Sequence, residues 1–443
     1  MKRLLAVVLV GAVTAAAALL PEPPPPPEPL AGVIIDSPGI GTPSDSSIWY
    51  CPWAQASALR DSVVGVASVV EADAALTFPV AIPGEPPDEA EVGVLGPGAA
   101  TLVLSDVAQR GDSPGFIEFS DGPAAASVTV SGEVLTSDRC VSEGPDEWFF
   151  VGGSTNSGEK LTLRLFNPFP ETARVTIQGF SEIGVEALGD LRTLSVNPRS
   201  WRNVDFEEEL RQRQDLIISV TVDEGLVVPS MAFSAGGDEA WWSGTALATS
   251  WEIPVARSEV LPDTSIVIAN PGGSEAQATI TFFTTEGEGG ESISVAIPAE
   301  SPLRVPVPAD GPEVVGARVE SPSQIAVSIV GAGEGGLGIT AGLPQQARRW
   351  LLPGVQTVGR TRAEVWLLNV SDEVVSVTVS ELTGLEVLNT NVVVEGGTVM
   401  RIPVEGDALG YFIDAVSPIT VMWSIDGPSG AALSGAVLVP DDE

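Results

Sequence analysis

A tryptophan recurs about every hundred residues along this chain, at Trp49, Trp148, Trp251 and Trp350. Nineteen residues after each of the last three tryptophans stands an asparagine that closes an apolar run: Asn167, Asn270 and Asn369. Repetition at this length indicates duplicated domains rather than a short-repeat solenoid, because about a hundred residues can bury a core of their own. The chain is therefore predicted to contain four similar modules.

Each unit has short stretches in which apolar and polar residues alternate, separated by Gly, Pro and Asn turns. About seven such stretches per hundred residues are typical of an antiparallel β-sandwich of immunoglobulin-like type. The predicted fold is all-β, with four tandem immunoglobulin-like sandwich modules after an N-terminal hydrophobic helix and a Pro-rich spacer. The predicted modules span residues 48–142, 143–245, 246–344 and 345–443.

The repeated asparagines are predicted to occupy hairpin turns. In the second module, Leu161–Leu165 alternates in hydrophobicity, passes through Asn167 and Pro168, and continues along Ala173–Ile177. Two alternating runs on either side of an Asn-Pro pair are typical of a hairpin. The segments around Asn270 and Asn369 have the same form, so the same turn is expected there.

Two further segments are given structural interpretations. Asp205–Arg213 is compatible with a helix and has no counterpart in modules three and four, so a short surface helix is expected there. Its acidic residues could hold a cation, but a solvated helix face is the favoured interpretation. Arg110-Gly111-Asp112 matches a tripeptide that integrin ligands use, yet so short a match often arises by chance.

The N-terminus has the pattern of an export signal. Lys2 and Arg3 precede an uncharged apolar run over residues 4–20, and a proline-rich spacer follows over 21–47. This pattern predicts export, with the N-terminus cytoplasmic and the modules outside. Residues 1–20 are either a retained membrane anchor or a cleaved signal peptide, since Ala16–Ala18 suits signal peptidase while Leu19 and Leu20 extend the apolar run. The prolines predict a stiff spacer that holds the modules off the membrane.

The chain has two cysteines, Cys51 and Cys140, near the start and the end of the first module. A disulfide between them is predicted, because exported compartments favour disulfides and no third cysteine competes. Two free thiols are the alternative. Closing a loop of about 90 residues would stabilise the fold by up to roughly 4 to 5 kcal/mol in the chain-entropy model.

Composition excludes several functional classes. The chain lacks histidine, which rules out His-based nucleophile systems and His-ligated metals. With 59 acidic against 21 basic residues and a net charge of −38, it should be repelled by nucleic acids and anionic lipids. Paired carboxylates remain open in principle. A non-enzymatic protein without cofactor or metal is expected, and contact with the membrane is expected only through the N-terminal segment.

The tryptophans allow a binding and a structural interpretation. Adjacent indoles in an extended segment point to opposite sides, so Trp241 or Trp242 could stack on a sugar while the other packs inward. The favoured alternative is that both wedge the interface between neighbouring sandwiches. The four repeated tryptophans, Trp49, Trp148, Trp251 and Trp350, are predicted to fill the joints between modules and limit bending.

A known family shares the leader, the proline-rich spacer and several motifs of this chain. These motifs are Trp49-Tyr50-Cys51-Pro52, Cys140, the stretch from Trp148 to Thr155 with Gly-Gly-Ser-Thr at its end, and Leu165-Phe166-Asn167-Pro168. The combination resembles a family of exported actinobacterial proteins of unknown function. The resemblance implies localisation in the cell envelope and no particular activity.

The first functional hypothesis is a non-enzymatic envelope scaffold, exported or membrane-tethered, that presents sandwich edges and loops to an envelope protein partner. The alternative is a protein that binds a wall polysaccharide through Trp241 or Trp242. A carboxylate-dependent glycan hydrolase is the least favoured class.

Overall fold

Alternating apolar and polar residues form antiparallel strands throughout the part of the chain that the structure describes. The computed structural model describes residues 47–440 apart from 58, 79–87, 95–96, 108–110, 121, 143, 260, 288–291, 309–314, 334–335, 356–360, 385 and 405, and of 88–94 it describes the backbone. The expected hydrophobic helix and nearly all of the proline-rich spacer lie outside the described residues.

The described residues of the first two modules form nineteen strands. In the first module these are β1 (Ser47–Cys51), β2 (Gln55–Ala56), β3 (Arg60–Ser68), β4 (Ala72–Phe78), β5 (Asp88–Val94), β6 (Gly98–Val103), β7 (Gly111–Asp112), β8 (Gly115–Phe119), β9 (Ala124–Gly132) and β10 (Thr136–Arg139). In the second they are β11 (Glu147–Val151), β12 (Glu159–Asn167), β13 (Ala173–Ser181), β14 (Gly184–Glu186), β15 (Thr193–Val196), β16 (Ser200–Asp205), β17 (Ile217–Glu224), β18 (Val228–Ala235) and β19 (Asp238–Ser243). Two short 3₁₀ turns span Leu104–Asp106 and Gly189–Arg192.

In the other two modules, fifteen strands lie in the part of the chain that the structure describes. The third has β20 (Ala248–Arg257), β21 (Asp263–Asn270), β22 (Ala276–Thr284), β23 (Ser292–Ile297), β24 (Ser301–Pro306), β25 (Val315–Gly333) and β26 (Gly336–Ala341). The fourth has β27 (Ala347–Pro353), β28 (Arg362–Asn369), β29 (Val375–Leu382), β30 (Val387–Val394), β31 (Thr398–Pro403), β32 (Gly410–Gly427), β33 (Gly430–Gly435) and β34 (Val437–Leu438).

All four modules share one sandwich topology. The first sheet of each contains its opening strand, as in the order β27-β32-β29-β30 of the fourth module. The second sheet contains the strand that ends at the repeated asparagine, as in the order β31-β28-β32-β33. In modules three and four a single long strand, β25 or β32, belongs to both sheets. The predicted all-β fold of antiparallel sandwich modules is confirmed.

The hairpin prediction for Asn167, Asn270 and Asn369 is wrong. The strand before each asparagine pairs within the second sheet, and the strand after it pairs within the first. The chain therefore crosses from one sheet to the other at these positions. An arch between sheets and a hairpin within one sheet give the same alternating sequence pattern, because each joins two half-buried strands by a polar turn.

The buried asparagine side chain joins two such arches at one end of the module. The Asn270 amide nitrogen donates to the carbonyls of Ser274, Ile297 and Pro298 at 2.8, 3.1 and 3.0 Å, and its oxygen accepts from the Gly272 amide at 3.1 Å. Asn167 and Asn369 make the corresponding four bonds. Since buried carbonyls need donors, this side chain supplies what the strands leave unpaired.

The first module has a serine where the others have asparagine. Ser68 lies nineteen residues after Trp49 at the end of β3, and its hydroxyl donates to the Pro123 carbonyl and accepts from the Val70 amide, both at 3.2 Å. The smaller serine side chain thus makes two hydrogen bonds where asparagine makes four. This difference explains why the sequence repeat is weaker in this module.

The four modules form a closed ring. The last strands of their second sheets, β10, β19, β26 and β33, pack against one another. The opening strands β11, β20 and β27 lie against the second sheet of the next module, and for β27 that next module is the first. We call this arrangement the module ring. Its closure brings the first and the fourth module together.

The module cores merge across their boundaries. The core of the first module includes Trp241 from the second module and Leu351 and Val437 from the fourth. The cores of the third and fourth modules form one cluster, which also takes in Phe149 and Ile217 from the second. Burying side chains of this size contributes roughly 1.5 to 3 kcal/mol each. The modules therefore stabilise one another, as their joints are continuous with their cores.

Glu252 is buried between the third and fourth modules. Its carboxylate accepts hydrogen bonds from Thr420 and Gln346 of the fourth module. The Arg318 Nε of the third module lies 3.7 Å from the carboxylate. Burial raises the pKa of this carboxyl, against the lowering effect of those partners. A carboxylate with donors on both sides fixes how the two modules dock.

The repeated tryptophans are all buried, at 1, 3, 0 and 2 % exposure for Trp49, Trp148, Trp251 and Trp350. In modules three and four the indole N–H donates to the carbonyl at the bend of the long strand of the same module, Ile325 for Trp251 and Ile419 for Trp350, both at 3.0 Å. These two side chains therefore hold the place where β25 and β32 change sheets.

The helix expected over Asp205–Arg213 is not formed. The segment has one turn, in which the Leu210 amide donates to the Phe206 carbonyl at 2.8 Å. Both side chains are buried in the core of the second module. Two apolar anchors one turn apart mimic a helical pattern, but tertiary packing ends it after that turn.

A methyl group at Gly65 should open the ring. A Cβ at Gly65 of β3 would lie 2.2 Å from the Gly354 Cα of the fourth module, whereas a Cβ at Gly273 meets nothing within 4 Å. We expect Gly65→Ala to destabilise the fold by about 1 to 3 kcal/mol and to increase the radius of gyration. Denaturant titration and small-angle X-ray scattering, with Gly273→Ala as control, measure both. Equal behaviour of the two variants would contradict this closure.

Loss of an arch asparagine should be costly. In Asn270→Ala, one buried and two partly buried carbonyls lose their donor, so we expect a loss of roughly 1 to 3 kcal/mol in unfolding free energy. Asn389→Ala, at an exposed strand position, should change it by less than about 0.5 kcal/mol. Urea denaturation compares the two, and a small effect at Asn270 would show that water replaces the amide.

Candidate functional site

The predicted disulfide is present. Cys51 at the end of β1 and Cys140 directly after β10 are bonded, with their Cα atoms 4.7 Å apart. Next to them the backbones of Tyr50 and Val141 exchange two hydrogen bonds, of 2.7 and 2.9 Å. The bond therefore fixes the point at which the chain leaves the first module for the second.

Trp241 lies inside the joint between the first two modules. It stacks on Trp53 with ring centroids 5.6 Å apart and an interplanar angle of 24°. The Arg164 guanidinium lies 4.1 Å from the Trp53 ring centroid and donates to the Pro52 carbonyl at 3.1 Å. Arg164 also pairs with Asp112 at 3.0 Å. Burial lowers the pKa of Arg164, and the Asp112 carboxylate opposes that shift.

The interpretation of Trp241 or Trp242 as a glycan platform is contradicted by their burial. Each is 1 % exposed. Trp241 belongs to the core of the first module and Trp242 to the core of the second. The two indoles point to opposite sides, as expected for a strand, but both sides are protein because β19 lies at the centre of the module ring.

Asp138 lies where three modules meet. Its carboxylate accepts from the Ser243 hydroxyl of the second module at 2.7 Å and lies 3.5 Å from the Ser434 hydroxyl of the fourth. The neighbouring Arg139 donates its amide to Ser434 at 3.2 Å and its guanidinium to the Ala436 carbonyl at 3.0 Å. Burial raises the pKa of Asp138 to about 6, against the lowering effects of the Ser243 bond and of Arg139. We call Asp138, Arg139, Ser243 and Ser434 the polar hub. Its hydrogen bonds fix how the three modules meet at the centre of the ring.

The described residues contain no group of three or more Cys, Asp or Glu side chains placed to hold a metal ion. Within the same residues, no helix is long and apolar enough to cross a membrane. Residues 4–20, on which the export prediction rests, lie outside that set.

An open sheet edge is exposed on the fourth module. In the described part of the chain β30 pairs with β29 and with no other strand. Its sequence, VLNTNVVV, is uncharged, and Leu388 and Val393 are 49 % and 48 % exposed. A shallow groove of about 390 Å³ runs across the adjoining sheet face between Arg348, Asp414 and Val393. We call β30 and this groove the module-four edge.

A second concave surface lies between the first two modules. This cleft of about 360 Å³ is lined by Tyr50 of β1 and by Phe169 of the second module, which lie next to each other. The two ring centroids are 5.6 Å apart and the planes meet at 58°. Ser142, Asp146 and Trp148 complete its wall. We call it the Tyr50 cleft.

One comparison with known proteins gives a match. A model of a family of unknown function, DUF5719, matches residues 108–234, less than a third of the chain. The match starts shortly before β7 of the first module, includes Asp138, Cys140 and Arg164, and ends in β18 of the second. The matched region therefore includes the joint between the first and the second module. A comparison with curated proteins gives no match.

The sequence interpretation missed both surfaces. The uncharged run at 387–394 was visible as a signal for an open edge, since natural edge strands usually carry charges or prolines. Nothing local marks the Tyr50 cleft, because its two aromatic walls are far apart in sequence. The hub at Asp138 is equally a product of ring closure.

The Asp138 carboxyl should make stability fall as pH rises. Its folded-state pKa of about 6 lies above the ordinary value of 3.8, so the folded protein binds this proton more tightly than the unfolded chain. Stability from this group is complete below about pH 4 and is lost as pH rises through 6. Glu252 shifts in the same direction.

In the wild type, we expect Asp138 to lower the unfolding free energy by at most about 1.4 kcal/mol per pH unit between pH 4 and 6. We expect Asp138→Asn to lack this contribution. Urea denaturation at pH 4, 5, 6 and 7 measures it. Asp190→Asn, at an exposed position, is the control. An unchanged slope in Asp138→Asn would mean that the carboxyl titrates as in water.

Proposed function

We propose that this protein is a non-enzymatic scaffold of the cell envelope, exported and held at the membrane by residues 4–20, that binds an extended segment of a protein partner along the module-four edge. The observation that carries the proposal is the open, uncharged strand β30. Backbone N–H and C=O groups on a free edge bind an added strand, and neighbouring side chains select it.

The other modules protect the corresponding edge. In the first module β5 carries three acidic residues in its sequence, DEAEVGV. In the second, β14 and β15 are three and four residues long. In the third, β23 exposes Ser292, Ser294 and Ala296, which offer little apolar surface. The fourth module alone among these combines eight residues with exposed leucine and valine side chains, so it is the one suited to strand addition.

The side chains in the groove beside β30 indicate what kind of segment would bind there. Thr378 and Asn391 are hydrogen-bonded to each other at 3.0 Å on this face, and Arg348 and Asp414 lie on the neighbouring strands. Because one positive and one negative side chain lie in this groove, a polar segment without net charge is favoured here. Because the whole chain carries −38 charges, an acidic partner would be repelled on approach.

The module ring supports a presenting role. Each module docks on two neighbours, and buried charges such as Arg164 and Glu252 have partners across the joints. A surface on such a frame keeps its geometry, which lowers the ordering cost of binding. The leader, the disulfide and the resemblance to exported proteins favour an extracytoplasmic location, and the resemblance also favours an actinobacterial source.

A lysine on β30 should abolish the interaction. Thr390→Lys places a charge at the exposed edge, so we expect at least a tenfold loss of the protease-sensitive binding to envelope pellets, with the unfolding midpoint unchanged. Ser294→Lys, on the equivalent strand of the third module, should sediment like the wild type. Co-sedimentation before and after protease stripping of the envelope measures both.

The part of the binding that stripping removes is the part assigned to a protein partner. If stripping removes none of the binding, or if Thr390→Lys keeps the protease-sensitive part, a protein partner at this edge is contradicted. A protease-sensitive part that is lost in Thr390→Lys but kept in Ser294→Lys is the expected pattern.

A further inference from the structure

The Tyr50 cleft has walls that are fixed before any ligand arrives. Tyr50 and Val141 exchange two backbone hydrogen bonds, of 2.7 and 2.9 Å. The disulfide Cys51–Cys140 joins the residues immediately next to this pair. A cleft held in this way loses little conformational freedom on binding. Its volume of about 360 Å³ falls within the usual size of small-molecule sites.

Two aromatic side chains line the cleft from different modules. Tyr50 and Phe169 are both partly exposed, and their planes are tilted by 58°. The Trp148 indole adds a third, buried aromatic wall, and Leu226 at the rim is 61 % exposed. Such surfaces suit the C–H face of a saccharide ring, which is apolar and flat, whereas its hydroxyls require polar partners.

Polar partners stand beside these rings. The Ser142 hydroxyl oxygen is buried and has no hydrogen-bond partner in the described structure. Asp146 is exposed on the same wall and offers a carboxylate acceptor. A buried hydroxyl that lacks a hydrogen bond costs folding free energy. A ligand or solvent molecule that supplies the missing bond removes that cost.

The charge around the cleft selects against anions. Its described lining contains the Asp146 carboxylate and no lysine or arginine. Burial, and then the nearby Glu118 carboxylate, raise the pKa of Tyr50, so the phenol stays neutral. A carboxylated or phosphorylated ligand would meet repulsion without a compensating cation.

We propose that the Tyr50 cleft is a binding site for a neutral saccharide that packs against the adjoining rings of Tyr50 and Phe169, with its hydroxyls bound by Ser142 and Asp146. The site is separate from the module-four edge, so it would give the scaffold a glycan contact in addition to its protein contact. It also moves glycan recognition away from Trp241 and Trp242, which are buried.

The test is a titration of the full-length chain with three trisaccharides: cellotriose, triacetylchitotriose and the anionic trigalacturonate. Tryptophan fluorescence follows all ten tryptophans, of which Trp148 lines the cleft, and saturation-transfer NMR reports on ligand contact. We expect at least one neutral trisaccharide to bind and trigalacturonate to bind at least tenfold more weakly.

Four variants locate the site. Phe169→Ala and Asp146→Asn should each weaken binding at least fivefold. Ser142→Ala should do so without lowering the unfolding midpoint, since this hydroxyl has no hydrogen-bond partner in the described structure. Phe169→Tyr should retain binding, because it keeps the ring.

Thr390→Lys should bind sugar like the wild type, which separates failure of this site from failure of the module-four edge. No saturation transfer at 10 mM of any neutral trisaccharide, or binding that both Asp146→Asn and Phe169→Ala leave unchanged, would overturn the proposal. Preferential binding of trigalacturonate would do the same.

Discussion

The joint between the fourth and the first module is the contact on which the arrangement depends. There the Leu135 amide donates to the Ser429 carbonyl at 2.9 Å and the Ser127 hydroxyl donates to the Pro353 carbonyl at 2.8 Å. Gly65 and Gly354 allow the two backbones to meet. Three joints between consecutive modules would leave an open chain of sandwiches, whereas the fourth joint closes the ring and fixes all the others, because closure leaves no module free to rotate.

Closure also explains why charged groups lie at the joints. A buried charge is tolerated where partners surround it, and it penalises any other docking geometry. Asp138 has donors from two modules, Arg164 is bound between two, and Glu252 accepts across the third joint. Apolar packing supplies most of the stability of the joints, and these groups make one arrangement specific. The outer edges of the sheets are then left as the surfaces available to partners.

The sequence alone identified the parts that depend on local chemistry. Alternation and turn residues predicted antiparallel sandwich modules, and the position of Cys51 and Cys140 predicted their bond. It mistook the asparagine turns for hairpins, since alternation shows that a strand is half buried but not which strand it pairs with. For Trp241 and Trp242 it favoured burial at an interface between sandwiches, which agrees with Trp241 in the first module's core, over the glycan platform, which their burial contradicts.

The sequence by itself determined the number and class of the modules, the repeated asparagine and the cysteine pair, because each is encoded within about a hundred residues. Tertiary structure decided the closed ring, the burial of Trp241 and Trp242, the hub at Asp138 and the walls of the Tyr50 cleft. Those features join residues from different modules, and complementarity between folded surfaces is a property of their three-dimensional shape. Periodicity and spacing along the chain carry no record of it.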